Sequence, residues 1–307
     1  MKKAFSITMV KNEADIIESF VRYHLNIFDR MVILDNGSTD CTLTILNNLK
    51  AEGLPIDVLV DNFEYLQAEK TTSLMYSTYR EYKPDLIFPL DVDEFLILAN
   101  NKEHPRKIID KLDLETIYYL ERVNYIPSVN DNYNELFVPK RITHSLGRCD
   151  GFKVVVTKGV LNKYSPSISK GNHNLIFKNK REHPKIERPF GALKIAHFIV
   201  RSPEQMKSKV ILGWLNNLAA YNRKKGNSVH LEKWFNRIKA NPNIGIYELL
   251  GSPKKVEPID LSFCKPIHIN YTNHNDVNLF RNLLLFSELL AAEYAKVRKK
   301  LIDLEKR

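Results

Sequence analysis

The chain has 307 residues, of which 44% are hydrophobic, and no apolar run approaches the roughly 20 residues that a membrane-spanning helix needs. Its three cysteines, Cys41, Cys149 and Cys264, lie far apart with no metal or redox spacing, which fits a reducing compartment. The net charge of +10 is uneven: residues 1–130 hold 14 Lys+Arg against 21 Asp+Glu, whereas residues 131–307 hold 32 against 15. The basic second part suits phosphates, an acidic polymer or an anionic membrane face, although any single lysine is more simply a solvated charge. The N-terminal MKKAFSITMVKNE breaks its apolar run too early for a signal-peptide core, so a cytoplasmic start is expected.

In chain order, Ala4–Val10 reads as a short buried strand, interrupted by Lys11-Asn12-Glu13. Residues 13–26 have helical spacing, with Ile16, Ile17, Phe20, Val21 and His24/Leu25 on one side. Arg30–Leu34 is a second strand ending at Asp35, and the turn Asn36-Gly37-Ser38-Thr39-Asp40 leads into a helix over Thr42–Lys50, closed by Gly53. Ile56–Val60 is the third strand, Gln67–Tyr82 a helix, and Asp85–Leu90 the fourth strand. Such β-α repetition predicts a parallel sheet with helices on both faces, where ligands gather outside the carboxyl ends of the strands. Three of those ends carry polar clusters: Lys11-Asn12-Glu13, Asp35-Asn36-Gly37-Ser38 and Asp91-Val92-Asp93-Glu94. After Asp113, Thr116–Val123, Gly151–Val160 and Leu193–Val200 read as strands, and residues 161–190 as loops. A helix begins near Pro203 and continues through Leu212–Asn222. Residues 223–260 are basic and interrupted by Pro and Gly. A long final helix covers Val277–Lys306, with Asn275 or Asp276 as cap and an apolar side through Phe280, Leu283, Leu284, Phe286, Leu290, Val297, Leu301 and Leu304.

In FPLDVDEF, residues 88–95, three acids fall within four positions, and unpaired buried carboxylates repel one another. An extended backbone would aim Asp91 and Asp93 one way and Glu94 the other. Two carboxylates at a strand end suit Mg²⁺ or Mn²⁺, which prefer oxygen ligands and accept substrate phosphates alongside them. A lone D-x-D is more simply an exposed acidic turn; the convergence of polar strand ends gives this one weight.

MVKNEADIIESFVRYHLNIFDRMVILDNGSTDCT followed by DVDEF resembles the family 2 glycosyltransferases of GT-A fold over about the first hundred residues, with weaker echoes in KGNHN and KIAHFIVRSPEQMKSK. The resemblance implies an α/β fold with a Rossmann-like mixed sheet. It implies a catalytic domain over 1–215 and a mainly helical region over 216–307. Thr8, Val10, Asn12 and Glu13 would line the nucleotide pocket, Asp35 would accept a hydrogen bond from uracil, and Asp91 would lie near the ribose and the metal. Asp93, with His197, would hold the Mn²⁺ or Mg²⁺ that bridges the two donor phosphates. His173 and Glu94 would touch diphosphate or acceptor. As plain sequence, His173 reads as a loop histidine and His197 as a strand histidine between Ile195 and Ile199. The implied reaction is an inverting transfer from a UDP-sugar to a glycan or glycolipid, such as a bacterial surface polysaccharide or lipooligosaccharide.

The base that would take the acceptor proton has no obvious motif; Asp131 and Asp150 are candidates by position only. Arg201 and Lys209 suit phosphate oxygens, and Trp214 and Trp234 suit a sugar face or a core. The C-terminal helix suits the catalytic domain, a second subunit, or the cytoplasmic face of a membrane as a peripheral contact. A phosphohydrolase would carry its D-x-D after the first strand, and a sugar nucleotidyltransferase would open with a Gly-rich loop after it. A basic nucleic-acid-binding protein would show zinc spacing or an RNA-recognition aromatic motif. None of these signals is present, so nucleic acid is not an expected partner.

Overall fold

The computed structural model describes residues 1–61, 66–99, 103–178, 184–219, 229–273 and 279–305. Strand β1 (Ala4–Val10) is buried along its whole length, as an apolar run in the middle of a parallel sheet should be. Helix α1 (Ile17–His24), strand β2 (Arg30–Asp35), helix α2 (Thr42–Ala51), strand β3 (Ile56–Val60), helix α3 (Gln67–Tyr82) and strand β4 (Leu86–Pro89) follow. Helix α1 starts later than its periodicity suggests: residues 14–16 form a turn in which the N–H groups of Ile16 and Ile17 both reach the Glu13 carbonyl, at 3.1 and 3.0 Å, and the N–H groups of residues 12–14 are satisfied by the next loop. Asn12 donates to Ser38 Oγ (3.0 Å), Glu13 to Thr42 Oγ1 (2.9 Å) and Ala14 to Asp40 Oδ2 (3.1 Å).

The second half supplies β5 (Glu94–Leu98), α4 (Pro105–Lys111), β6 (Thr116–Ile126), α5 (Val138–Arg141), β7 (His144–Thr157) and α6 (Lys158–Tyr164). The short strands β8 (Ser167–Ile168), β9 (Leu175–Ile176) and β10 (Lys185–Glu187) lie in the segment expected to be loop, and β11 (Leu193–His197) follows. The ten-stranded sheet runs β3-β2-β1-β4-β7-β6-β11-β5, with β10 beside β6. From β3 to β4 it is parallel; β7 then joins β4 antiparallel, so the sheet is mixed, as the GT-A resemblance implies. Two registers matter for the site. Val10 pairs with Asp35, and Asp35 with Val60, so three carboxyl ends finish level. Strand β11 sets His197 beside Glu94 on one side and Asn124 on the other.

The chain forms two compact units, Met1–Ile199 with Pro253–Asp276, and Val200–Ser252 with Val277–Arg307. The division falls at Val200 instead of near 215, and residues 253–276 return to the first unit. The return has a physical cause: the buried carboxylate of Glu18 on α1 accepts the N–H groups of Asn270, Tyr271 and Thr272, each at 2.8 Å, and the Thr272 hydroxyl at 3.1 Å. The second unit is helical: α7 (Pro203–Ala219), α8 (Val229–Ala240) and α9 (Ile246–Leu250), then, after the short strand β12 (Lys255–Val256) of the first unit, α10 (Leu279–Glu305). Helices α8 and α9 occupy the basic stretch for which the sequence suggested no helix. Asn282 of α10 donates to Ser208 Oγ of α7 at 3.1 Å. The expected caps Asn275 and Asp276, helix positions 220–222, 277, 278 and 306, and the side chain of Leu304 lie outside the described residues. Among the described residues no helix is long and apolar enough to cross a membrane.

Candidate active site

The carboxyl ends of β1 and β2 lock together through side chains. Asp35, wholly buried, uses Oδ1 to accept the N–H groups of Gly37 (3.0 Å) and Ser38 (2.9 Å). Gly37 takes a left-handed φ of 76° that this tight turn requires. Asn12, also left-handed at φ 57°, accepts the N–H of Thr39 at 2.7 Å. Asn12 and Glu13 therefore tie the end of β1 to the loop after β2. Thr8 and Val10 are buried inside β1, with Val10 in the core, so they lie beneath that strand end and not on its surface. Asp35 Oδ2 and Asn36 Nδ2 are buried with no hydrogen-bond partner. A buried acceptor and donor left open at a strand end are what a ligand with complementary groups would satisfy. Beside them, Lys70 donates to Asn36 Oδ1 (2.6 Å) and pairs with Asp61 (3.0 Å). Burial pulls the Lys11 ammonium below its usual value, against the attraction of Asp35 and with Lys70 adding to the fall.

The acidic stretch is not extended. A turn closes with Glu94 N–H on the Asp91 carbonyl (3.0 Å) and Asp91 N–H on Glu94 Oε2 (3.1 Å). The expectation that Asp91 and Asp93 share a side is overturned by this turn. Asp91 and Glu94 converge on the buried Lys153 of β7, at 2.5 and 2.8 Å, while Asp93 meets His197 Nε2 at 3.6 Å. Arg122 Nη1 stands 3.5 Å from Glu94 Oε1. Three acids are thus balanced by Lys153, Arg122 and His197 within the protein. Burial works against the Lys153 charge, but Asp91 and Glu94 outweigh it and hold the ammonium above its ordinary value. Burial pushes Glu94 up, with Lys153 opposing; at 2.8 Å from an ammonium we read Glu94 as the carboxylate of this triad. Burial also opposes the His197 charge, yet Asp93 raises the imidazole to about 9.

Asp91 Oδ1 accepts Gln67 Nε2 and Asn172 Nδ2, each at 3.1 Å, and Lys153 donates to the Gly171 carbonyl at 2.7 Å. Gly171 N–H in turn donates to Gln67 Oε1 at 3.0 Å. The 170–172 turn is therefore fastened to the acidic turn through Gln67 and Lys153. His173 sits just past it, its Nδ1 on the Phe152 carbonyl (2.8 Å); burial keeps it below the usual imidazole value. A Cβ on residue 171 would fall 2.6 Å from His173 Nε2, and φ there is 75°, so only glycine fits. Asp131 is spent on its own loop, accepting Ser128 N–H at 2.9 Å, and Asp150 is exposed on β7. Trp214 is buried on α7 of the second unit.

Sequence reading missed Lys153, Gln67, Arg122 and Asn124. Lys153 carried a signal: a single lysine inside the apolar run Phe152–Val156 demands a buried counter-charge. A divalent ion fits the residues present. Asp93 offers a carboxylate, and His197, on giving up the proton that Asp93 favours, would offer Nε2, because its Nδ1 is held by Asn124 Oδ1 at 2.9 Å, the kind of outer partner that orients a metal-binding imidazole. Asp91 is committed to Lys153, Gln67 and Asn172 and is the less suited to that ion. Among the described residues no three His, Cys, Asp or Glu side chains gather closely enough to hold a metal unaided, so phosphate oxygens would have to complete the shell.

The class defined so far is an α/β protein with a mixed sheet and a charged site at the carboxyl ends of its parallel strands. No protein-family model matches the chain, and no curated protein matches its sequence. Among solved structures it is similar to TarS 1–349 of S. aureus, at 15% identity over 82% of this chain and 76% of that one, with a TM-score of 0.37. It is also similar to the mannosyltransferase PcManGT of Pyrobaculum calidifontis, solved with GDP-Man and Mn²⁺, at 10% identity over 78% and 71% of the two chains, TM-score 0.38. GalNAc-T7, solved with UDP, GalNAc and Mn²⁺, is 11% identical over 82% of this chain and 53% of its own, TM-score 0.39.

Proposed function

We propose that the chain is a metal-dependent glycosyltransferase that moves a sugar from a UDP-sugar to a hydroxyl of a glycan or glycolipid, with inversion. The observation that carries this reading is one sheet edge bearing two complementary features. One is the open, buried Oδ2 of Asp35 at the end of β2; the other is the Asp93–His197 pair beyond the end of β4. With β1 between them, the two strands stand about 10 Å apart, the scale of a nucleotide.

In this reading Asp35 Oδ2 accepts the N–H of a uracil ring, and Asn36 Nδ2 donates to a carbonyl of the same base. Asp93 and His197 hold the divalent ion, with Asn124 fixing the imidazole. When bound, that ion supplies Lewis-acid stabilisation to the diphosphate that leaves as the acceptor oxygen takes the sugar. Asp91, immobilised by Lys153, Gln67 and Asn172, faces the ribose. Glu94 and His173 act by positioning: Glu94 holds Lys153 and the Asp91 backbone, and His173 caps the 170–172 turn. The resemblance further supports a cytoplasmic enzyme of bacterial surface-glycan assembly.

Calorimetric titration with UDP, in Mn²⁺ and again in EDTA, tests the reading. Binding that depends on Mn²⁺ is expected. Binding indifferent to metal would remove the role given to Asp93 and His197. No binding of UDP, with tight salt-sensitive binding of nucleic acid, would overturn the reading altogether.

A further inference from the structure

Helix α10 poses a problem that sugar transfer does not address. Every side chain from Ser287 to Ile302 is exposed. A helical stretch of this length without tertiary packing is marginal in water. Yet it carries an apolar stripe: Phe280 is 71% exposed, Tyr294 68%, Leu301 55% and Val297 53%.

The stripe has a strict seven-residue period. With Phe280 at position a, Tyr294 and Leu301 also fall at a, and Leu283, Leu290 and Val297 fall at d. Ser287 is the one polar residue at a, a substitution that sets register at some expense of stability. Leu284, Leu289 and Ile302, all exposed, lie off the seam at e, c and b. From Glu293 onward charges flank the seam on both sides, Arg298 at e and Glu293 and Lys300 at g. From Glu293 onward, Ile302 apart, the large apolar side chains keep to a narrow a/d seam and not the broad apolar face that an interfacial membrane helix presents.

We propose that α10 pairs in parallel and in register with α10 of a second copy of this chain, as a two-stranded coiled coil. Charge complementarity selects this occupant. In a parallel pair, g of one heptad faces e of the partner's next heptad, which sets Glu293 against Arg298 of the second copy, twice by symmetry. One heptad earlier the same rule sets Phe286 against Ala291, an uncharged pair. An antiparallel pair would set Glu293 against Lys300 of the second copy, but it would bury Ser287 against an apolar d residue instead of against its own copy, so parallel pairing satisfies both. Among the described residues Glu293 meets Lys296 in an exposed i,i+3 contact, at 2.6 Å, which is easily exchanged.

The test is sedimentation equilibrium of the full chain. Twice the 35.7 kDa chain mass is expected at micromolar concentration. Leu290→Asp with Val297→Asp should give monomers whose urea unfolding midpoint is unchanged for the first unit. Glu293→Arg or Arg298→Glu alone should weaken the dimer roughly tenfold, through two like-charge contacts per dimer. The two together should restore it to within about threefold of wild type. Leu301→Cys should form an interchain disulfide under oxidation that the wild-type chain does not. The proposal is overturned by a monomer persisting to the order of 100 μM, by a dimer indifferent to the Leu290 and Val297 changes, by failure of the charge-swap rescue, or by a dimer of the Leu301→Cys variant whose introduced thiols cannot be joined. A chain monomeric in solution that sediments with anionic vesicles through α10 would assign the stripe to a membrane surface instead.

Discussion

Glu18 on α1 and Asp35 at the end of β2 are both wholly buried carboxylates, and their surroundings treat them in opposite ways. Both oxygens of Glu18 are saturated, by three backbone N–H groups, a threonine hydroxyl and Arg22 Nε at 2.9 Å. Nearly two turns along, His24 is equally complete: Nδ1–H donates to the Phe20 carbonyl at 2.9 Å, and Nε2 accepts Leu96 N–H at 3.1 Å. Asp35 uses one oxygen and leaves the other bare, and Glu94 Oε1 has no hydrogen bond either. A saturated buried polar group secures the fold, whereas an unsaturated one at a strand end is held ready for a ligand that can complete it.

That contrast can be broken by experiment. The largest effect belongs to the site: Asp93→Ala should lower turnover of a UDP-sugar at least about a thousandfold, or about 4 kcal/mol. Its stability should fall by only about 1–2 kcal/mol in urea, because His197 can then shed its proton. Retained turnover would sink the metal role. Next comes His24, whose burial lowers its pKa to about 3, despite the Phe20 carbonyl, which favours the proton. The unfolded imidazole binds a proton below about 6.5 and the folded one does not. Stability is therefore complete above pH 6.5 and drains as pH falls toward 3, by about 4 kcal/mol at pH 3.5. Urea unfolding at pH 7 and pH 4 should show a much smaller loss in His24→Gln than in wild type; equal losses would mean His24 is not the source. Glu18→Ala should cost about 3 kcal/mol, because the N–H groups of Asn270, Tyr271 and Thr272, the last of them buried, lose their acceptor. A loss below about 1 kcal/mol would mean the 270–272 backbone finds water. The smallest effect is Asp35→Ala, which should weaken UDP binding by about 1–2 kcal/mol with or without Mn²⁺. Unchanged affinity would move the base elsewhere.

The parallel strands and their level ends were readable because local apolar runs and turn residues encode them, as in Ala4–Val10 and Asn36–Asp40. The gathering of Asp35, Asp91 and Asp93 at one edge followed from that topology. The way Asp91 and Glu94 face Lys153 was not readable, because it depends on a turn closed by Glu94 itself and on a lysine 62 positions away in sequence. The return of residues 253–276 to the first unit was equally hidden, since backbone N–H groups leave no mark in a sequence. Helix α1 was overextended by periodicity because residues 14–16 keep the apolar spacing of the helix while forming a turn ahead of it.

The bond from Glu18 to Asn270 closes a loop of 252 residues. During synthesis the helix that bears Glu18 leaves the ribosome long before the segment that saturates it exists. The first unit therefore cannot complete its core until residues 270–272 have emerged. Until that segment arrives, a buried acid in its centre waits without those partners. A chain cut near 215, which looks complete by its strands, would leave that acid bare permanently, and should be slow to fold and prone to aggregate.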